Sequence, residues 1–167
     1  LSDLRVPLSL ACQQNGVTLS ARRVCNSSSQ AQSGAVGASV FFDAGRIGAS
    51  LSDYRSDYGT VAQDNVRIGL RSSRAVLDGE WRNLWSGALP RVQWQLGRSV
   101  YRHTEFEAGA PGTRFANQGS DWRMQARHAD LAGWQGVIGA QGESGQFSAD
   151  GEEAFAPYSR TRHTALF

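Results

Sequence analysis

The chain has 167 residues, enough for one ordinary domain, so its length excludes nothing by itself. All seventeen basic residues are Arg, the net charge is only +2 and the arginines are dispersed, which argues against a nucleic-acid-binding protein. Nineteen Gly with five Trp, four Tyr and seven Phe point to β structure, and no run approaches the roughly 20 apolar residues of a membrane-crossing helix. Any membrane would have to be crossed by strands.

Residues 1–33 are dense in Ser, Gln and Asn without strong periodicity, and loop is the expectation. Within them Cys12 and Cys25 enclose a short polar segment. A disulfide there would suit a periplasmic or extracellular location; two free thiols are the alternative, and no metal pattern surrounds them. Leu1-Ser2-Asp3 shows no basic n-region, apolar core or cleavage site. The chain ends at Ala165-Leu166-Phe167 without punctuation, so the expectation is a piece of a longer protein.

From Gly34 the pattern changes. Val36, Ala38, Val40 and Phe42 alternate with smaller or more polar residues, the period of a half-buried strand. Asp43-Ala44-Gly45 predicts a tight turn, and Ile47, Ala49 and Leu51 return as the second strand of a hairpin. A loop at 56–63 precedes a long strand from Asn65 to about Arg82. Val66, Ile68 and Leu70 share one parity there, whereas Ala75, Leu77 and Trp81 take the other. Either a bulge near Ser72-Ser73 or an upper part outside a bilayer would explain the switch. After a turn at Asn83–Leu89, the apolar residues Val92, Trp94, Leu96 and Val100 alternate with Gln93, Gln95, Ser99 and Tyr101. Ala108–Thr113 reads as a loop, Trp122, Met124 and Ala126 as the next strand, Asp130–Gly133 as a turn and Trp134–Phe147 as the return. A loop at Ser148–Ser159 leads into a last strand from Arg160.

Connections at 43–45, 83–89 and 130–133 read as short, and those at 56–63, 107–113 and 148–159 as longer. Such alternation is the habit of membrane barrels, and a soluble up-and-down barrel shares it. Phe41, Phe42, Trp81, Trp85 and Trp134 lie beside the short turns. Tyr54, Tyr58, Tyr101, Phe106, Phe115, Phe147 and Tyr158 lie toward the long loops. Two aromatic bands match interfacial girdles. Arg46, Arg67, Arg71, Gln93, Gln95, Arg123, Gln125 and Arg127 are expected on a wet face, because unpaired charge in a packed core is heavily penalised. The fold class expected is all-β: an antiparallel up-and-down meander forming a partial transmembrane β-barrel, about seven strands of a larger one.

The segments NSSSQAQSGAVGASVFFDAGRIGASLSDYRSDYGT, SVYRHTEFEAGAPGTRFANQGSDWRMQARH and GWQGVIGAQGESGQFSADGEEAFAPYSRTRHTALF resemble successive barrel strands of TonB-dependent outer-membrane receptors, in particular the branch that includes zinc-uptake receptors. The most specific pieces are YRHTEFE with its following GT-F-N, and GEEAF-P. The resemblance runs from about Asn26 to Phe167 and divides the chain into an outside loop segment, 1–33, and a partial receptor barrel, 34–167. It implies a 22-stranded barrel with a plug in its lumen, and import of a metal ion or metal complex energised by TonB. The implied partners are outer-membrane lipid, the receptor's own plug and remaining strands, and TonB; the implied location is the bacterial outer membrane. No resident cofactor is implied. The step from Gly59 to Asn65 lacks the His-rich insertion common in the zinc branch, which puts zinc as the solute in doubt.

His103, Glu105 and Glu107 project to one face of a strand at period two, a conceivable set for Zn²⁺ or a similar ion, with His103 and Glu105 as its metal ligands. The plainer reading is a solvated rim whose carboxylates pair with Arg102 or Arg114. Glu152 and Glu153 form an acidic pair in the last loop, and His128 and His163 are isolated. Neither a nucleophile elbow, a phosphate loop nor a dinucleotide fingerprint occurs, so no enzyme is expected. The rival reading is a stand-alone secreted β-sandwich or β-barrel that binds carbohydrate or protein.

Overall fold

The structure is a computed structural model that describes residues 5–14, 17–63, 65–152, 154 and 157–167. It contains two antiparallel sheets and, among those residues, no helix. β1 (Arg5–Gln14) and β2 (Val17–Arg23) pair only with each other. The remaining strands follow in chain order as an antiparallel seven-stranded meander: β3 (Ser29–Phe42), β4 (Gly45–Gly59), β5 (Val66–Leu84), β6 (Leu89–Glu107), β7 (Ala110–Arg127), β8 (Val137–Asp150) and β9 (Tyr158–Leu166). β3 and β9 are its two edges, and the sheet is open. The all-β antiparallel class is therefore as the alternating pattern predicts.

Three features differ from the sequence reading. Residues 1–33 are not simply loop: they hold the β1–β2 hairpin and the start of β3. Apolar residues do alternate there, Val6, Leu8, Leu10 and Cys12 in β1 and Val17, Leu19 and Ala21 in β2, but the surrounding Ser, Gln and Asn give the segment the composition of a loop. Cys12 and Cys25 are joined by a disulfide with 5.5 Å between their Cα atoms. Next to Cys25, Asn26 takes positive φ (48°), and its amide nitrogen lies 3.0, 2.8 and 2.6 Å from the carbonyl oxygens of Thr60, Gln63 and Val66. Two amide protons shared among three acceptors fasten the base of the hairpin to the β4–β5 connection.

The connections do not alternate strictly in length. Ala108–Gly109 alone joins β6 to β7, whereas 128–136 joins β7 to β8 at the end expected to be short. Gly- and Pro-containing text around 108–113 resembles a loop, but Ala108 (φ 48°) and Gly109 (φ 86°) form a two-residue turn with both φ positive, the hairpin type that matches strand twist. Pro111 then falls inside β7, close to its end, opposite Phe106. Third, β5 pairs with both neighbours without a register shift at Ser72-Ser73, so no bulge explains the parity switch there. The bulge lies elsewhere, where Gly112-Thr113 of β7 face Glu105 between the Thr104–Arg114 and Phe106–Pro111 pairs.

Very little of this molecule is buried. Among the described residues, only Cys12, Val92 and Ala149 are buried apolar side chains, while Val36, Val40, Leu51, Met124, Ile138 and Leu166 are all more than half exposed. A single sheet has no second layer against which to pack, so the alternation of its strands is displayed and not internalised.

Candidate functional site

Cross-strand register sorts the side chains of the meander into two faces. On the first, the half nearest the 43–44, 85–88 and 128–136 connections is apolar. Val36–Leu51–Ala75 form one continuous row, and Leu77–Leu96–Trp122 another. Trp81–Val92–Ala126–Ile138 run below them. Trp94 lies over Gly79, where a Cβ would come within 2.5 Å of its ring, and it stacks on Trp81 with centroids 5.8 Å apart. Trp85 and Trp134 are exposed in the connections beneath.

The same face turns polar without any change of register. On β4 the series Ile47, Ala49, Leu51 continues as Asp53 and Arg55; on β5, Trp81, Leu77, Ala75 continue as Ser73 and Arg71. On β6, Leu96 is followed by Arg98, Val100 and Arg102. The edge of the apolar zone also steps along the sheet. It includes Val36, Leu51 and Ala75 on β3–β5, stops one row lower at Leu96 and Trp122, and ends at Leu166 on β9. Just above the edge, Ser73 Oγ donates to Asp53 Oδ2 at 2.9 Å, and Arg55 and Arg71 lie 3.0 and 3.2 Å from the same carboxylate. The Ser73 hydrogen bond, supported by both arginines, outweighs desolvation and holds the Asp53 carboxyl below the usual carboxylate range.

The opposite face has the reverse gradient. Beside the apolar zone it is hydrogen-bonded and charged. Glu80, 8% exposed, meets Arg82 Nε at 3.1 Å and Gln93 Nε2 at 3.1 Å; Gln125 Nε2 donates to Gln93 Oε1 at 2.8 Å, and Arg123 donates to Gln125. Arg46 pairs with Asp78, and Arg74 reaches Asp121 at 2.8 Å. Toward the far end this face becomes aromatic: Tyr101 and His103 make an edge contact at 5.5 Å, His103 stacks on Phe115 at 4.4 Å, and Phe115 approaches Phe147 at 6.2 Å.

This arrangement corrects two expectations about faces. Tyr54, Tyr58, Tyr101, Phe115 and Phe147 share the polar face with Gln93 and Arg123, so they form no girdle with the tryptophans, although Phe106 and Tyr158 do lie on the apolar zone's face. Phe41 also falls on the polar face, opposite Arg46. Arg67 and Arg71 lie with Leu77 and Trp81, not with Arg46, Gln93, Gln95, Arg123, Gln125 and Arg127. Proximity to a loop says nothing about which face a ring takes, because one residue of register reverses it.

His103, Glu105 and Glu107 do occupy one face of β6, opposite Leu70, Ile68 and Val66. They do not converge on an ion: among the described residues, no group of three His, Cys, Asp or Glu side chains is placed to hold a metal. The His103 ring is instead enclosed by Tyr101 and Phe115, and its Nδ1 is buried without a partner. Burial lowers its pKa from the ordinary histidine value. Glu105, Glu107 and Glu152 line one small cleft with Thr113, which brings the strand carboxylates near the last loop, while Glu153 lies outside the described residues. His128 Nδ1 sits 2.6 Å from the Ala129 carbonyl oxygen, and His163 faces Glu143 across β8–β9. The enclosure of His103 was beyond sequence reasoning because Phe115 arrives from β7 by pairing across the unrecognised tight turn.

The architecture thus defined is an open antiparallel meander with one apolar-zoned face and one hydrogen-bonded face. No protein-family model matches the chain, and no curated protein matches it.

Proposed function

We propose that this chain is part of the barrel wall of an outer-membrane receptor of the TonB-dependent kind, which imports a metal ion or metal complex. The observation that carries the reading is the exposed apolar zone, confined to one face and one end of otherwise regular strands. A soluble sheet hides such residues against a second layer, whereas a membrane strand presents them to lipid. The ten residues of β5 from Ala75 to Leu84 match the roughly 9–11 that a tilted strand needs to cross the hydrocarbon. The stacked Trp81–Trp94 pair and Trp85 and Trp134 beneath suit a headgroup-level belt at the near end. The hydrogen-bonded face then lines the lumen, and strands β5–β7 stand above the outer surface, where no lipid constrains parity.

Solute would first meet the aromatic far end of the polar face and the adjoining carboxylates. The receptor assignment rests on the YRHTEFE and GEEAF-P resemblance together with this zoning, and the lumenal plug, TonB contact and outer-membrane location follow from it as parts of the same proposal. The rival secreted binding module is disfavoured by the near absence of buried apolar side chains among the described residues. Two measurements test the reading on the full-length protein. Brominated lipids should quench Trp81, Trp94 and Trp122 strongly after reconstitution, and quenching no greater than for a water-soluble protein would reject the membrane wall. Deleting the gene should impair growth only when a particular metal is scarce; unimpaired growth under every metal limitation would reject metal import while leaving the wall intact.

A further inference from the structure

The face that bears the apolar zone carries a belt of arginine directly beyond its edge. Three consecutive cross-strand rows are involved. The first holds Arg98 and Arg162 beside Ala75, Ser120 and Ser144; the second holds Asp53, Val100 and Arg160; the third sets Arg55, Arg71 and Arg102 side by side on β4, β5 and β6. All six arginines are exposed. Against them stands one carboxylate, Asp53, which is engaged by Arg55 and Arg71. Arg98 is held by neutral partners, donating to Ser120 Oγ and Gln118 Oε1 at 2.9 Å each.

Like charges placed directly opposite one another in a sheet destabilise it. The polar face offsets this by pairing: Arg46 meets Asp78, Arg74 meets Asp121, and in the row where Arg82, Arg91 and Arg127 are opposed, Arg82 and Arg91 share Glu80. The next row outward on the arginine-bearing face also returns to balance, with Asp57 and Asp150 flanking Arg114. On this face only the rows bordering the apolar zone carry such an excess of cation, which leaves a planar-donor surface where the hydrocarbon would end; the comparable row of the polar face, Arg82, Arg91 and Arg127, lies on the side away from that surface. Guanidinium binds phosphate in a bidentate fork, and every basic residue in this chain is arginine.

We propose that the belt formed by Arg55, Arg71, Arg98, Arg102, Arg160 and Arg162 is a binding surface for phosphate-bearing headgroups of the surrounding membrane lipid. The proposal rests on the barrel-wall reading, since it needs the apolar zone to face lipid. The bound phosphates would neutralise the Arg55–Arg71–Arg102 row and fix the height of the wall in the bilayer.

The test reconstitutes the full-length protein into nanodiscs of zwitterionic phosphatidylcholine, with or without a phosphate-rich anionic lipid such as lipid A or phosphatidylglycerol, and counts retained lipid after detergent extraction by native mass spectrometry. Wild type should retain anionic lipid preferentially, and the preference should fall with rising salt. The variant Arg98→Gln/Arg102→Gln/Arg160→Gln should weaken retention by about fivefold for each arginine removed. A control, Arg123→Gln on the polar face, should retain lipid as wild type does. Equal retention of anionic and zwitterionic lipid by a normally inserted wild type overturns the belt while leaving the wall. Failure of wild type to insert at all overturns the wall and the belt together. Should the triple variant not fold, the salt dependence of the wild type decides alone: a flat response overturns the proposal.

Discussion

His103 shows how a residue's chemistry is set by neighbours that its own strand cannot reveal. Its spacing from Glu105 and Glu107 is plainly legible, and the structure keeps all three on one face. The two rings that flank it arrive at i−2 and from another strand, and between them its Nδ1 is buried without a partner. Because burial depresses its folded-state pKa, the imidazole is neutral in both folded and unfolded chains above its ordinary value of about 6.5. As pH falls below that value the unfolded chain takes up the proton first, so the folded state loses stability until the folded-state pKa is also passed. Between about pH 7 and pH 5, wild type should therefore lose more urea resistance than His103→Gln, and parallel pH profiles for the two proteins would show that the ring is not effectively buried.

At the scale of the element, β5 and the β6–β7 hairpin separate what alternation can reveal from what it cannot. The parity switch in β5 was visible in the residues, but its cause was not, since a bulge and a change of surroundings leave the same text. Unbroken register from Val66 to Arg82 removes the bulge, and the proposed bilayer boundary is the change of surroundings that would account for the switch. A charge placed at Leu77 should then cost about 2–4 kcal/mol in a bilayer, whereas one at Val100, on the same face but above the zone, should cost close to nothing. Comparing the assembly yield and unfolding free energy of Leu77→Arg and Val100→Arg in liposomes checks this, and equal penalties would show that the zone does not meet lipid. In the hairpin, Ala108 occupies a positive-φ position that Asn tolerates better. Ala108→Asn should stabilise the protein by about 0.5–1 kcal/mol, read from its thermal or urea midpoint. That turn escaped sequence reading because Ala-Gly-Ala-Pro-Gly has the composition of a longer loop.

For the whole molecule, composition and alternation were enough to indicate an all-β meander, because a single sheet follows local rules throughout. They were not enough to find β1 and β2, whose short alternations sit in text dense in Ser, Gln and Asn, or to assign the aromatic rings to faces. The seven-stranded sheet has two open edges and an apolar surface without a partner. This chain expressed alone should aggregate in water and disperse only in detergent, which size-exclusion chromatography with and without detergent will show; a monodisperse monomer in plain buffer would contradict it. The Asn26 fastening adds a chemical lifetime to the assembly. Its amide donates to Thr60, Gln63 and Val66, and it precedes a small residue, Ser27, in the sequence. Spontaneous deamidation there would exchange a two-proton donor for a carboxylate facing three carbonyl oxygens, turning attraction into repulsion. Aged protein, or the variant Asn26→Asp, should release the disulfide-closed hairpin to proteases while leaving the seven-stranded sheet in place, so the hairpin's attachment wears out before the sheet does.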